Sequence, residues 1–323
     1  IETLIEKGSA YAVEGDVYFR VRSDAQYGCL SHRAIDAMDQ GEGVEGAALK
    51  DDPLDFALWK ATKAGEDTSW DTPWGRGRPG WHIECSAMAE ELLGVGIDIH
   101  GGGNDLIFPH HENEAAQTRM ARGGELATIW MHNGMLQMGE EKMAKSVGNI
   151  ALLADVLERW GRDTIVLFFC TGHYHQPLRF SDETLAAADA SVRRIREAGR
   201  RLAPGSSPED LAPLRERFFE ALADDFHTPR ALAVMYEWVA EANRRDGVGD
   251  ADLREMLGVL GLENLLDAAA GDAPDAEAIT LMQAREDARA TQDWAEADRL
   301  RDALAALGWQ VRDSADGPSL VRP

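Results

Sequence analysis

The sequence predicts an α/β domain followed by all-α segments and a small carboxy-terminal domain, and three observations predict it. Short apolar runs alternate with helix-spaced segments over residues 1–150. From residue 151 the spacing turns helical almost throughout, and a Gly-Asp-Ala-Pro linker at 271–274 sets off a final stretch. A chain of 323 residues is long enough for roughly two or three domains.

Composition narrows the function classes. No stretch approaches the ~18 consecutive apolar residues of a membrane-spanning helix, so the chain reads as soluble and no membrane partner is expected. The chain opens on Ile1, and residues 1–8 are helical in pattern and unlike a signal peptide, so the sequence is expected to start within a longer protein. Three cysteines, Cys29, Cys85 and Cys170, lack any C-x-x-C spacing, which favours a reducing cytoplasm. A formal charge of −24 excludes nucleic-acid binding through bulk positive potential, so an RNA partner must meet local patches. Lysine occurs six times and never after Lys145, which sets apart the two lysines of one loop.

Each element has its own signal. After a helical start, the alternation over residues 15–22 predicts a half-buried strand. Pro, Gly and Trp crowd residues 68–80 and predict a packed, irregular loop. Helical spacing over 81–93 is followed by the apolar run 95–99, read as a buried strand, and by a glycine turn at Gly101–Gly103. Helical spacing resumes over 108–120, and 128–138 reads as strand broken at Gly134. Helices are then expected at 151–160, 163–171, 181–202, 208–245 and 252–260, and a helical hairpin at 275–291 and 294–307 precedes a short end piece with a Gly-Pro turn at 317–318. The domains expected are 1–150, a connecting segment 151–180, a helical bundle 181–270 and a tail 275–323.

Three constellations carry chemistry. His110 and Glu114 are four apart and share a helix face, and with Cys85 they offer nitrogen, oxygen and sulfur donors suited to zinc. His111 lies in the same run, so spacing alone leaves the choice of histidine open. His100-Gly-Gly-Gly-Asn-Asp105 follows a predicted parallel strand, where open α/β sheets bind ligands. Lys142-Met-Ala-Lys-Ser146 places two cations in one loop, able to meet charge developing on a triphosphate. The arginines at 193, 194, 196, 200 and 201 fit a phosphate contact and a solvated face equally well.

These segments together resemble the cysteinyl-tRNA synthetase family. Trp81-His-Ile-Glu-Cys-Ser-Ala-Met88, residues 100–114 and Lys142–Ser146 match its signatures in order, and residues 27–31, 55–60, 224–232 and 295–301 extend the likeness over the whole chain. The resemblance implies a partial class I Rossmann-type catalytic domain and a carboxy-terminal anticodon-binding domain. It implies Cys85, His110 and Glu114 as ligands of one Zn²⁺, and Lys145, assisted by Lys142, as catalytic contacts to ATP with its Mg²⁺. Trp81 and His100 would stand near the substrate side chain. Gly102 and Asp105 would form the nucleotide-binding turn, with His132 and Asn133 approaching adenine. The implied partners are cysteine, ATP and tRNA(Cys), and a monomer is expected. In the tail, Arg299, Arg301, Trp309 and Arg312 are candidate RNA contacts, the aromatic stacking on an unpaired base.

Three departures are visible. Ala144 stands where the family typically has serine, the carboxyl end at 317–322 differs from the family's usual Trp-containing ending, and no His-x-Gly-His motif occurs in this sequence. The family's amino-terminal half-Rossmann segment, with that motif and a fourth zinc ligand, is therefore expected to lie outside this chain, which alone should not form cysteinyl-adenylate. The alternatives are a related ligase that joins cysteine to an amino sugar in mycothiol synthesis, and a non-catalytic RNA-binding derivative.

Overall fold

The computed structural model describes residues 1–38, 47–138, 141–142, 151–267, 276–314 and 317–321. The chain forms two compact units, one of Ile1–Met135 with His175–Pro177 and one of Leu136–Tyr174 with Leu178–Pro323.

The first unit opens with helix α1 (Glu2–Glu6) and strands β1 (Ala10–Val13), β2 (Asp16–Phe19), β3 (Phe56–Ala61), β4 (Trp70–Thr72) and β5 (Gly75–Pro79). They make one antiparallel sheet in the order β1-β2-β3-β5-β4. Strand β2 is buried on both faces, not half-buried as its alternation predicts. On one face Phe19 stacks on Phe56 with ring centroids 4.9 Å apart. On the other, Asp16 accepts from Tyr18 Oη at 2.7 Å, Lys60 Nζ at 3.2 Å and Ala61 N at 2.8 Å. A satisfied polar network can be buried like an apolar face, which alternation cannot reveal.

Residues 68–80 are also a correction, since β4 and β5 form a hairpin where an irregular loop is predicted. The glycines there serve pairing: a Cβ at Gly77 would fall 2.2 Å from the Lys60 carbonyl and 2.4 Å from Trp59 Nε1. Close backbone approach, and not disorder, explains the composition.

Helix α2 (Trp81–Leu93), strand β6 (Ile97–Gly103), helix α3 (Glu112–Arg122) and strand β7 (Ala127–Asn133) follow. Strands β6 and β7 run parallel and, among the described residues, pair only with each other. The predicted parallel pairing is present, but the run at 95–99 is not a buried strand: Ile99 is 56% exposed. The three glycines continue β6 instead of turning, Gly101 opposite Met131 and Gly103 opposite Asn133. The core of this unit gathers Leu4, Val17, Phe19, Phe56, Leu58 and Ala116.

In the second unit, β8 (Leu136–Met138) pairs with β9 (Glu141–Lys142) and with β10 (Leu178–Arg179), which follows α4 (Leu153–Trp160) and α5 (Arg162–Cys170). Helix α6 (Asp182–Gly199) begins with a capping box in which Ser181 Oγ accepts from Thr184 N and Thr184 Oγ1 accepts from Ser181 N. The expected helix over 208–245 is two, α7 (Ala212–Ala223) and α8 (Thr228–Ala242). Pro229 belongs in the first turn of a helix and not in its interior, and Asp225 and Phe226 turn the chain with φ of 53° and 52°. Helices α7, α8 and α9 (Ala251–Val259) pack around Phe218, Met235, Trp238 and Met256.

Helices α10 (Ala276–Ala290) and α11 (Trp294–Ala306) form the expected hairpin, and β11 (Gln310–Ser314) pairs with β12 (Gly317–Val321). Gly317 and Pro318 lie within β12, opposite Ser314 and Asp313, and not at the turn. Among the described residues no helix is long and apolar enough to cross a membrane.

Candidate active site

The site lies where α2, β6 and α3 of the first unit meet. A five-residue turn, Ile107–His111, carries His110 and His111 into the start of α3, and both rings are buried. Glu114 follows one helical turn later and is wholly buried. On α2, Trp81 and Cys85 lie four apart on one helix face.

Donor atoms of Cys85, His110 and Glu114 lie within 4.8 Å of one another. Glu114 Oε2 stands 3.6 Å from His110 Nε2, 3.2 Å from His100 Nε2 and 3.8 Å from His111 Nε2. Its Oε1 is buried with no hydrogen-bond partner. A buried carboxylate oxygen without a donor is costly by about 1–3 kcal/mol or more, and a bound cation would remove that cost. Thiol, imidazole and carboxylate are together a zinc-type donor set, so the residues fit such an ion.

The electrostatics favour the same use. Burial pushes the His111 imidazole down to about 3, helped by His100, His132 and His110. Burial likewise lowers His82 to about 4 with a contribution from His110, and lowers His110 itself, against the pull of Glu114. These rings are therefore neutral near pH 7, the form that can coordinate a cation. The Cys85 thiol is raised by burial and by the nearby Glu114 and Glu84, so a metal entering here would have to displace its proton.

The structure brings most of the expected substrate residues to this place. The Trp81 ring stacks on His110 at 4.1 Å between centroids, and its outer face is exposed. His100 lies on β6 against His111 and Trp130. Gly102 is required by packing, since a Cβ there would meet His111 Cε1 at 2.8 Å and Leu106 Cδ1 at 2.9 Å. Asp105 is exposed just beyond the carboxyl end of β6, and Asn133 is exposed as the last residue of β7. His132 departs from the expectation of an adenine contact: its side chain is buried, with Nε2 2.8 Å from His111 Nδ1. Its carbonyl accepts from His175 Nδ1 at 2.9 Å. Lys142 lies in β9 of the second unit, and Lys145 lies outside the described residues.

Two features escaped the sequence reading. His82 places Nδ1 2.8 Å from Nδ1 of His110. The only signal was its place beside Trp81, three residues before Cys85. The segment 24–33 is tied to α3 by Arg119 with Asp24, by Tyr27 with Asn113, and by Glu112 Oε2, which accepts from both Ser31 N and Oγ at 2.8 Å. Glu112, Asn113 and Arg119 therefore fix the back of α3, the helix that carries Glu114 and follows directly on the His110 turn.

Of the arginine stripe, Arg193 pairs with Asp189, Arg196 with Asp163 and Arg201 with Glu197, while Arg194 lies over the Tyr236 ring. In the tail, Trp309 is 1% exposed and packs on Ala278 and Leu304, so it cannot stack on a base. Arg299 pairs with Glu296 and Arg301 with Asp298. Arg312 lies in β11. The exposed aromatic of this region is Trp294, at 60%.

Three family models match successive stretches of the chain. A family model described as "tRNA synthetases class I (C) catalytic domain" matches residues 1–190, one described as "DALR domain" matches 217–264, and one described as "Cysteinyl-tRNA ligase anticodon binding domain" matches 272–318. A cysteine–tRNA ligase of Ectopseudomonas mendocina is 45% identical over 331 residues, covering 98% of this chain and 71% of that protein. One from Brevibacillus brevis is 44% identical over 341 residues, covering 98% and 72%. A family match over more than half of the chain and close relatives along nearly all of it settle the lineage: the chain belongs to the class I cysteinyl-tRNA ligase family.

Proposed function

We propose that the natural protein carrying this sequence activates cysteine with ATP and transfers it to tRNA(Cys), with Cys85, His110 and Glu114 among the ligands of its Zn²⁺. The convergence of those three donors, in a chain of this family, carries the reading. Zinc held there would favour a thiol over the near-isosteric serine hydroxyl, where an apolar pocket alone separates such side chains by about 1–3 kcal/mol.

The remaining chemistry belongs to the chain's own residues. Trp81 and His100 flank the donor group and bound the space for a small side chain. In activation the cysteine carboxylate attacks the α-phosphorus of ATP and pyrophosphate leaves. A ribose hydroxyl at the tRNA end then attacks the carbonyl of the adenylate, and AMP leaves. Gly102 lets His111 and Leu106 pack against β6, and Asp105 and Asn133 stand where they can accept from or donate to a nucleotide at the strand ends. His132 contributes through His111. Lys145 and Lys142 supply cations to the triphosphate and its Mg²⁺, meeting charge that grows as pyrophosphate departs. The match of residues 272–318 to an anticodon-binding domain favours tRNA over an amino sugar as acceptor. The chain acts as a monomer in the cytoplasm.

Cysteine-dependent ATP–pyrophosphate exchange and charging of tRNA(Cys) by the natural protein test this. Both activities should be present and both should fall in Cys85→Ala. Exchange that serine supports as well as cysteine, or that is unchanged in Cys85→Ala, would overturn the reading.

A further inference from the structure

A second set of donors meets the same carboxylate. His100 Nε2, His111 Nε2 and a Glu114 oxygen also lie within 4.8 Å of one another, with the two nitrogens 3.2 and 3.8 Å from Oε2. Ligand atoms about 2.0–2.1 Å from a tetrahedral ion stand roughly 3.3 Å apart, so this spacing is already close to that of a coordination shell. The two imidazole planes cross at 75° with centroids 4.7 Å apart, which lets both nitrogens face one point.

Each adjacent histidine also has its own outer partner. His111 Nδ1 is 2.8 Å from His132 Nε2, and His110 Nδ1 is 2.8 Å from His82 Nδ1. Such a bond to the far nitrogen fixes the tautomer and orientation of a ligating imidazole. One ion at Cys85 and His110 would use one of these arrangements and leave the His111 arrangement available to another. The separate pointer to a ligand is Glu114 itself: it is wholly buried with Oε1 unpartnered, while Oε2 faces the imidazole nitrogens of both groups.

We infer that His100, His111 and Glu114 form a second, thiolate-free subsite for a borderline divalent cation such as Zn²⁺ or Co²⁺, sharing its carboxylate with the Cys85 group. The inference rests on the metal reading of that group. Ions that share a bridging ligand stand about 3.5–4 Å apart in two-metal sites, so mutual repulsion makes the second ion the weaker one. Only neutral imidazoles and a shared carboxylate offset its charge, whereas the first ion also has a thiolate. A cation there occupies the His100 imidazole at the end of β6 and withdraws it from substrate, so excess zinc inhibits the protein.

Co²⁺ titration of the zinc-stripped natural protein, followed by visible absorption and equilibrium dialysis, tests the subsite. The first equivalent should bring a thiolate-to-cobalt charge-transfer band, and a weaker second equivalent should add absorption without enlarging that band. His111→Asn should lose the second equivalent and keep the band. His100→Asn, at a less buried position, gives the same test should the first variant fail to fold by circular dichroism. Saturation at one equivalent with the band present overturns the subsite and leaves the Cys85 reading intact. A second equivalent that survives both histidine changes is a stray surface ion and also overturns it. Absence of the band at all cobalt levels refutes the Cys85 reading, while a thiolate-free equivalent lost in His100→Asn still upholds the subsite.

Discussion

Nδ1 of His82 lies 2.8 Å from Nδ1 of His110, both rings buried and neither raised in basicity. One of the two nitrogens must carry the proton. If it is His110, its Nε2 lone pair is directed towards Glu114 and free to coordinate, and His82 sets the tautomer. Loss of such an outer partner typically costs 10- to 100-fold in metal affinity, so His82→Leu should weaken zinc by about 10-fold or more in a chelator competition. Unchanged affinity would assign His82 to packing alone.

Gly102 packs β6 directly against the His111 ring. Gly102→Ala drives a methyl to 2.8 Å from His111 Cε1, so the ring must move. Misplacement of about 1 Å can cost on the order of 10²-fold in rate, and a loss of that order in kcat for cysteine-dependent exchange is expected. A rate within twofold of the parent would show that His111 yields without consequence.

The Asp16–Lys60–Tyr18 network predicts a pH dependence of stability. Burial alone would raise the Asp16 carboxyl, but the Ala61 N–H, the Tyr18 hydroxyl and Lys60 outweigh it and leave it below the usual 3.8. A carboxyl depressed in the fold stabilises it fully above the unfolded value and loses that contribution as pH falls through the folded one. The parent should therefore melt above Asp16→Asn at pH 6, and the gap should narrow below about pH 4. A gap independent of pH would show that shape, and not charge, is what Asp16 contributes.

In the tail the two tryptophans should separate. Trp294→Ala removes an exposed ring and should reduce tRNA charging by about 1–3 kcal/mol of stacking, roughly 5- to 150-fold in kcat/KM, while sparing pyrophosphate exchange. Trp309→Ala empties a core and should destabilise the tail by about 3–5 kcal/mol. Equal loss of exchange and charging in Trp294→Ala would contradict an RNA role.

Much of this was legible in residue order. The spacing of His110 and Glu114 on one helix face, the helices α2, α3, α10 and α11, and the parallel pairing of β6 with β7 follow from local periodicity, which the chain carries within a few residues. What was not legible depends on partners distant in sequence. The burial of Asp16 needs Lys60, the need for Gly77 comes from Trp59 and Lys60 across the sheet, and Trp309 is hidden by Ala278 and Leu304. His82 and Ser31 were missed for the same reason, because each matters only through a contact with the His110–Glu114 segment.

Whether Cys85, His110 and Glu114 bind one ion together is read from X-ray absorption at the zinc edge of the natural protein. Sulfur scattering is expected at about 2.3 Å beside nitrogen and oxygen at about 2.0–2.2 Å, with the sulfur component reduced in Cys85→Ala. A shell of nitrogen and oxygen alone, or one unaltered by Cys85→Ala, would contradict it.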